Sequence, residues 1–214
     1  MTEMLWKYRH AMGIGLVIIM HAVGLTSILL DPESPLLPLT PVNLWLCGSV
    51  AVLLHVLEAR KDLIWMLAVY ALGFGIECLG VNTGWPFGTY TYLHNFGAQA
   101  WGTPWVIGMN WLLLALGSVT FLRRWINHRM LLALGTGVVM VGIDALIEPL
   151  APALRFWAFE QHPVPAANYV SWWVLGTMAG ALLARTKPVS NPTSVVLLGL
   201  QVVFFIALLL FFTA

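Results

Sequence analysis

In a chain of 214 residues, 60% hydrophobic and only 9% charged, there are too few ionisable side chains to cover a soluble surface, where about 25% charge is ordinary. The formal net charge of +1 excludes the basic footprint of a nucleic-acid binder. Composition therefore predicts lipid as the solvent. It predicts an all-α, polytopic membrane helix bundle forming a single integral membrane domain over residues 1–214.

Seven apolar runs follow in chain order, near residues 12–30, 42–57, 63–80, 103–122, 130–150, 169–184 and 194–213. A helix needs about 20 residues to cross the hydrocarbon layer, so the second and sixth runs are short. The first follows Lys7 and Arg9, as a signal peptide would, but it is too long for an h-region and reads as a retained helix. About seven transmembrane helices with the N-terminus inside place Lys7, Arg9, Arg60, Lys61, Arg123, Arg124, Arg129, Arg185 and Lys187 on the cytoplasmic side. Only Arg155 falls outside. Nine of ten basic residues on one face follow the positive-inside rule and put the C-terminus outside. Gly176 and Gly180, four apart in the sixth run, read as a helix-packing pair. Cys47 and Cys78 have no metal-ligand spacing and read as buried thiols.

Of nine acidic residues, Glu3, Glu58 and Asp62 sit at the inner boundary, and Asp31, Glu33 and Glu160 sit in outer loops. Glu77, Asp144 and Glu148 remain inside apolar helices. A charge there costs at least about 2.5–3.5 kcal/mol, so such groups require a partner, a wet cavity or a bound proton. At 1.5 Å per residue, Glu77 lies only about 5 Å below the outer end of its helix. Glu148 precedes Pro149 at the end of the fifth run. Asp144 is one turn deeper on the same face. All three carboxyls thus fall at one outer level. The ordinary alternative is that each bonds a neighbouring helix or snorkels to the interface.

Aromatic residues gather at the same level. Trp6, Trp65 and Trp125 lie near the inner boundary. Trp45, Trp85, Trp101, Trp105, Trp111, Trp157, Trp172 and Trp173 lie in the outer half with Phe87, Tyr90 and Tyr92. An interfacial belt accounts for some of them. The excess has the π-faces to line a pocket that stabilises a cation. Asn110 and Asn168 also face this level and suit water placement or helix-end satisfaction. His21, mid-membrane, reads as a side chain bonded to a neighbouring helix. His94 and His162, in outer loops, are within reach of the site. No histidine has metal-ligand spacing with suitable partners, and no metal site is expected.

Residues 77–92, reading ECLGVNTGWPFGTYTY, resemble a signature of the carotenoid biosynthesis membrane family. That family includes CruF-type carotenoid 1′,2′-hydratases and bisanhydrobacterioruberin hydratases. The resemblance continues in Gly102, Pro104 and Trp105, in Asn110 and Trp111, and in Asp144, Glu148 and Pro149. It ends with Phe156, Trp157, Pro165, Asn168 and Trp172. The stretch at residues 161–165, QHPVP, departs from the Gly-Val-Pro implied there, which bears on substrate choice.

The resemblance implies addition of water to the terminal 1′,2′ double bond of an acyclic carotenoid end, through an acid-generated tertiary carbocation. The enzyme would be a cofactor-independent hydro-lyase acting on a carotenoid such as lycopene or γ-carotene in the cell membrane. A carboxyl in an apolar site keeps its proton at neutral pH and can serve as the acid. Asp144, the deeper of the helix pair, is the first choice for donor, with Glu77 or Glu148 orienting water. The reverse assignment is also open. Trp85, Phe87, Tyr90, Tyr92, Trp105, Asn110, Trp111, Trp157, Asn168 and Trp172 are the expected substrate contacts. A lycopene-type cyclase would use the same protonation, and a proton-coupled transporter would use the carboxyls as a relay. A retinal protein needs a lysine inside a helix, and the lysines here are only Lys7, Lys61 and Lys187.

Overall fold

The computed structural model describes residues 2–213, with side chains from Tyr8 onward. Glu3, Trp6 and Lys7, assigned above to the inner side, lie outside the described side chains. Among the described residues there are seven α-helices: α1 (Thr2–Leu30), α2 (Thr40–Val56), α3 (Leu63–Thr83), α4 (Val106–Leu122), α5 (Arg129–Ile147), α6 (Ala166–Leu183) and α7 (Pro192–Thr213). Five stretches are long and apolar enough to cross a membrane: Tyr8–Leu30, Leu37–Val56, Arg60–Thr83, Arg129–Ile147 and Pro192–Thr213.

The two helices outside that set, α4 and α6, have a packing explanation. At 17 residues, α4 is apolar all round and buried at most positions, which marks a helix surrounded by protein rather than lipid. It packs against α2, α3, α5, α6 and α7, while α1 lies outside it against α7 and α2. Helix α6 is held against α5 by small residues. A Cβ on Gly137 would come within 2.5 Å of the Trp173 carbonyl, and one on Gly180 within 3.0 Å of Ala133. Gly176 faces Gly137 in the same seam, so the glycine pair of α6 packs against α5.

Helix ends follow their residues. Helix α3 stops at Gly84, which takes a left-handed φ of 73° and returns its N–H to the Gly80 carbonyl. Pro149 has no N–H with which to extend α5. Asn191 caps α7, its Oδ1 accepting from the Ser194 N–H at 3.2 Å, with Pro192 in the first turn. At the end of the bundle that carries Arg60 and Arg185, the Arg123 guanidinium donates to the Leu183 and Thr186 carbonyls. It thereby satisfies the last turn of α6. His55 and Asp62 pair there at 3.0 Å, both buried.

The two long loops at the opposite end join each other. Strand β1 (Tyr90–Tyr92) pairs antiparallel with β4 (Trp157–Phe159), with Tyr90 opposite Phe159 and Tyr92 opposite Trp157. A smaller hairpin, β2 (Gln99–Ala100) with β3 (Thr103–Pro104), leads into α4. This hairpin is why α4 begins at Val106 rather than near residue 103. The β1–β4 ladder satisfies loop backbone over the mouth of the bundle and positions the site beneath it.

Candidate active site under the paired loops

Glu77 sits in the last turns of α3, buried, and accepts three hydrogen bonds. The Tyr90 hydroxyl donates to its Oε2 at 2.6 Å and the Tyr92 hydroxyl to the same oxygen at 2.7 Å. The Trp111 indole N–H donates to Oε1 at 2.9 Å. Successive strand side chains alternate faces, so Tyr90 and Tyr92, two apart on β1, reach the same carboxyl. Burial first, and the neighbouring Glu77 charge second, push both phenols above their ordinary range. Both therefore remain protonated donors.

Two glycines on the same helix face admit these donors. Gly73, Glu77 and Gly80 are spaced i, i+4, i+7. A Cβ on Gly73 would lie 2.4 Å from Trp111 Cγ, and one on Gly80 2.8 Å from the Tyr90 hydroxyl. Trp111 is then clamped from the other side by Trp172, its ring stacked at 4.3 Å and 14°.

Asp144 and Glu148 form the second group. They are joined through Asn168 in the first turn of α6. The Asn168 amide donates to Asp144 Oδ2 at 2.8 Å and to Glu148 Oε1 at 3.3 Å. Trp157 on β4 donates its indole N–H to Glu148 Oε2 at 3.2 Å. Asp144 Oδ1 is buried with no protein partner.

One cavity of about 270 Å³ brings these groups together. Its wall includes Glu77, Asp144 and Glu148, and of the expected contacts Phe87, Tyr90, Tyr92, Asn110, Trp157, Asn168 and Trp172. The other three expected contacts lie elsewhere. Trp85 is 65% exposed on the loop surface. Trp105 stacks on Phe74 at 4.9 Å and lines a separate surface groove. Trp111 is not in the lining; it is bonded to Glu77 and stacked on Trp172. The loop histidines His94 and His162 are not part of the cavity lining, whereas His21 is. Its Nδ1 bonds the Val17 carbonyl of its own helix at 2.8 Å, not a neighbouring helix. This leaves Nε2 as the other ring position.

Sequence reasoning did not reach Gln201 on α7 or Asn43 on α2, which also line the cavity. Gln201 Oε1 is buried without a partner. A lone polar residue in an apolar run was the available signal for Gln201. The wall is otherwise mostly apolar and aromatic, so the cavity can take a greasy guest beside three carboxyls and π-faces.

The family model described as "Carotenoid biosynthesis protein" matches residues 39–214. Among curated proteins, the chain is similar to "Bisanhydrobacterioruberin hydratase" of Haloarcula japonica, at 29% identity over 122 residues. That alignment covers 53% of this chain and 42% of the relative, so the chain spans less than half of the relative's length. No solved structure matches.

Proposed function

We propose that this chain, which belongs to the carotenoid biosynthesis protein family, hydrates the terminal 1′,2′ double bond of an acyclic carotenoid. The observation that carries this reading is the convergence of Glu77, Asp144 and Glu148 on one mostly apolar cavity walled by aromatic rings. The curated relative bears the name of a carotenoid hydratase, and the cavity has the chemistry that such a reaction needs.

Asp144 acts as the acid. Its Oδ2 is held by Asn168, and its Oδ1 has no fixed donor. The proton leaves the carboxyl oxygen for C2′, and the alkene π-pair becomes the new C–H bond. The electron deficit falls on the tertiary C1′. The faces of Trp157, Tyr92 and Trp172 and the nearby carboxylates lower the cost of that charge. Water then bonds to C1′ and gives up a proton to a carboxylate, which leaves a tertiary alcohol. Glu148 is the acceptor, one helical turn from Asp144; transfer of that proton to Asp144 restores the acid, while Asn168 donates to both carboxyls and holds them in place. Glu77 spends three of its roughly four lone-pair sites on fixed donors. It supplies negative potential and one remaining acceptor position for the water. No organic cofactor takes part.

The enzyme is proposed to lie in the cell membrane with seven crossing helices, N-terminus inside, so that the paired loops and the cavity beneath them face outward. The partners are the carotenoid, such as lycopene or γ-carotene, and the bilayer.

Expression in cells that accumulate lycopene or γ-carotene tests the reading. A new, more polar pigment heavier by one water supports it. A product of unchanged mass assigns the same acid to a cyclase. No pigment change, together with proton flux into vesicles, assigns it to transport. Asp144→Asn is expected to abolish hydration while the protein stays in the membrane, and full activity would remove Asp144 from the mechanism.

A further inference from the structure

A carotenoid is a long rod, and the carboxyl-bearing cavity is small. Its volume of about 270 Å³ is at the lower edge of pockets that enclose even a compact ligand, about 300–1,000 Å³. It has room for an end group, and the rest of the substrate needs another surface. A second, open groove of about 560 Å³ runs between α2 and the start of α4. Val42 and Phe96 line both spaces. Phe96 is buried and Val42 is 58% exposed, so they form the boundary between the cavity and the groove.

The groove wall carries Trp45 and Trp105, both partly exposed. They are the ends of one continuous row of rings. Trp45 meets Tyr70 at 6.0 Å, Tyr70 meets Phe74 at 6.4 Å, and Phe74 stacks on Trp105 at 4.9 Å with planes only 5° apart. The Tyr70 hydroxyl donates to the Trp105 carbonyl at 2.8 Å, which pins the row to the head of α4. The rest of the lining, from Pro41 through Leu46 to Val106, is almost wholly apolar. A flat conjugated chain matches such faces by stacking.

We infer that the groove bearing Trp45 and Trp105 holds the polyene of the substrate, whose end group passes Val42 and Phe96 to reach the carboxyls. This rests on the hydratase reading for the identity of the occupant. It makes polyene length a specificity determinant, read at Trp45 and Trp105 rather than in the reaction cavity.

The test separates binding from chemistry. Asp144→Asn protein in lipid nanodiscs is titrated with lycopene, and the apparent Kd is read from the visible absorbance of retained pigment. Adding Trp45→Ala and Trp105→Ala is expected to weaken retention about tenfold, the loss of two ring contacts. Val42→Trp, which adds bulk at an exposed boundary position and removes no packing, is expected to weaken it at least as much. It serves where the double variant is unstable. An unchanged Kd in Val42→Trp and in the double variant overturns the groove and leaves its tryptophans as lipid-belt residues. Hydration is followed separately in protein with native Asp144, using lycopene and geranylacetone, a short chain with the same terminal isopropylidene group. The groove variants are expected to lower the lycopene-to-geranylacetone ratio of kcat/KM. Failure of the unaltered protein to hydrate either probe overturns the hydratase reading, while the lycopene Kd still decides for or against the groove.

Discussion

Replacing Glu77 by glutamine and, separately, by leucine separates its chemical role from its structural one. Three donors converge on this carboxyl: the Tyr90 and Tyr92 hydroxyls on Oε2 and the Trp111 N–H on Oε1. An indole N–H can only donate, whereas a phenol can also accept. In Glu77→Gln the amide oxygen must therefore face Trp111, and the NH2 must face the two phenols, which turn to accept from it. The network survives with a cost of about 1 kcal/mol. Leucine leaves all three donors buried and unpaired at about 1–3 kcal/mol each, or about 3–9 kcal/mol together. Marginal stabilities are about 5–15 kcal/mol, so Glu77→Leu is expected to melt far below Glu77→Gln. Thermal unfolding of the detergent-solubilised protein, followed by circular dichroism, reads this difference. Pigment extraction from lycopene-accumulating cells reads the chemistry. The glutamine variant is expected to be folded and inactive. Hydration at the unaltered rate by Glu77→Gln, or equal melting of the two variants, refutes the reasoning.

The same geometry sets further outcomes. Asn168→Leu removes the side-chain donor that Asp144 and Glu148 share; two bonds of about 1 kcal/mol each correspond to a fall of roughly 30-fold in hydration rate, measured by single-turnover pigment conversion. Gly73→Ala drives a methyl to 2.4 Å from Trp111 Cγ, an overpacking cost of about 1–3 kcal/mol. It is expected to lower both melting temperature and hydration, whereas Gly75→Ala, with open space at its Cβ, changes neither. Trp172→Ala removes the ring stacked on Trp111 and is expected to cost about 3–5 kcal/mol of stability, read in the same melts. For sidedness, a reporter active only in the cytoplasm is expected to be silent at the C-terminus and active in the loop of residues 123–129; the opposite pattern overturns the proposed orientation.

The legible parts of the site were the costly ones. Glu77, Asp144 and Glu148 stand out in apolar runs because ionisable groups in lipid require a reason, and helical rise predicted all three near one end of the bundle. The donors that answer each carboxyl were harder to see. Trp85, Trp105 and Trp111 look alike in sequence, yet one is exposed on a loop, one faces a groove and one is buried against Glu77. Gly73 and Gly80 carried a signal in their spacing from Glu77, but it became meaningful only once Trp111 and Tyr90 were found occupying the space they leave.

Composition and the spacing of apolar runs were enough to specify a helical membrane protein, because hydrocarbon leaves backbone groups few ways to be satisfied. Local periodicity likewise put Asp144 and Glu148 on one face, since a helix repeats every 3.6 residues wherever it sits. It took three-dimensional packing to pair β1 with β4, to bridge two carboxyls through Asn168, and to bring His21 and Gln201 to them in one cavity. Those contacts join residues from separate helices and loops, and their geometry is set by how helices pack around α4, which no local pattern along the chain encodes.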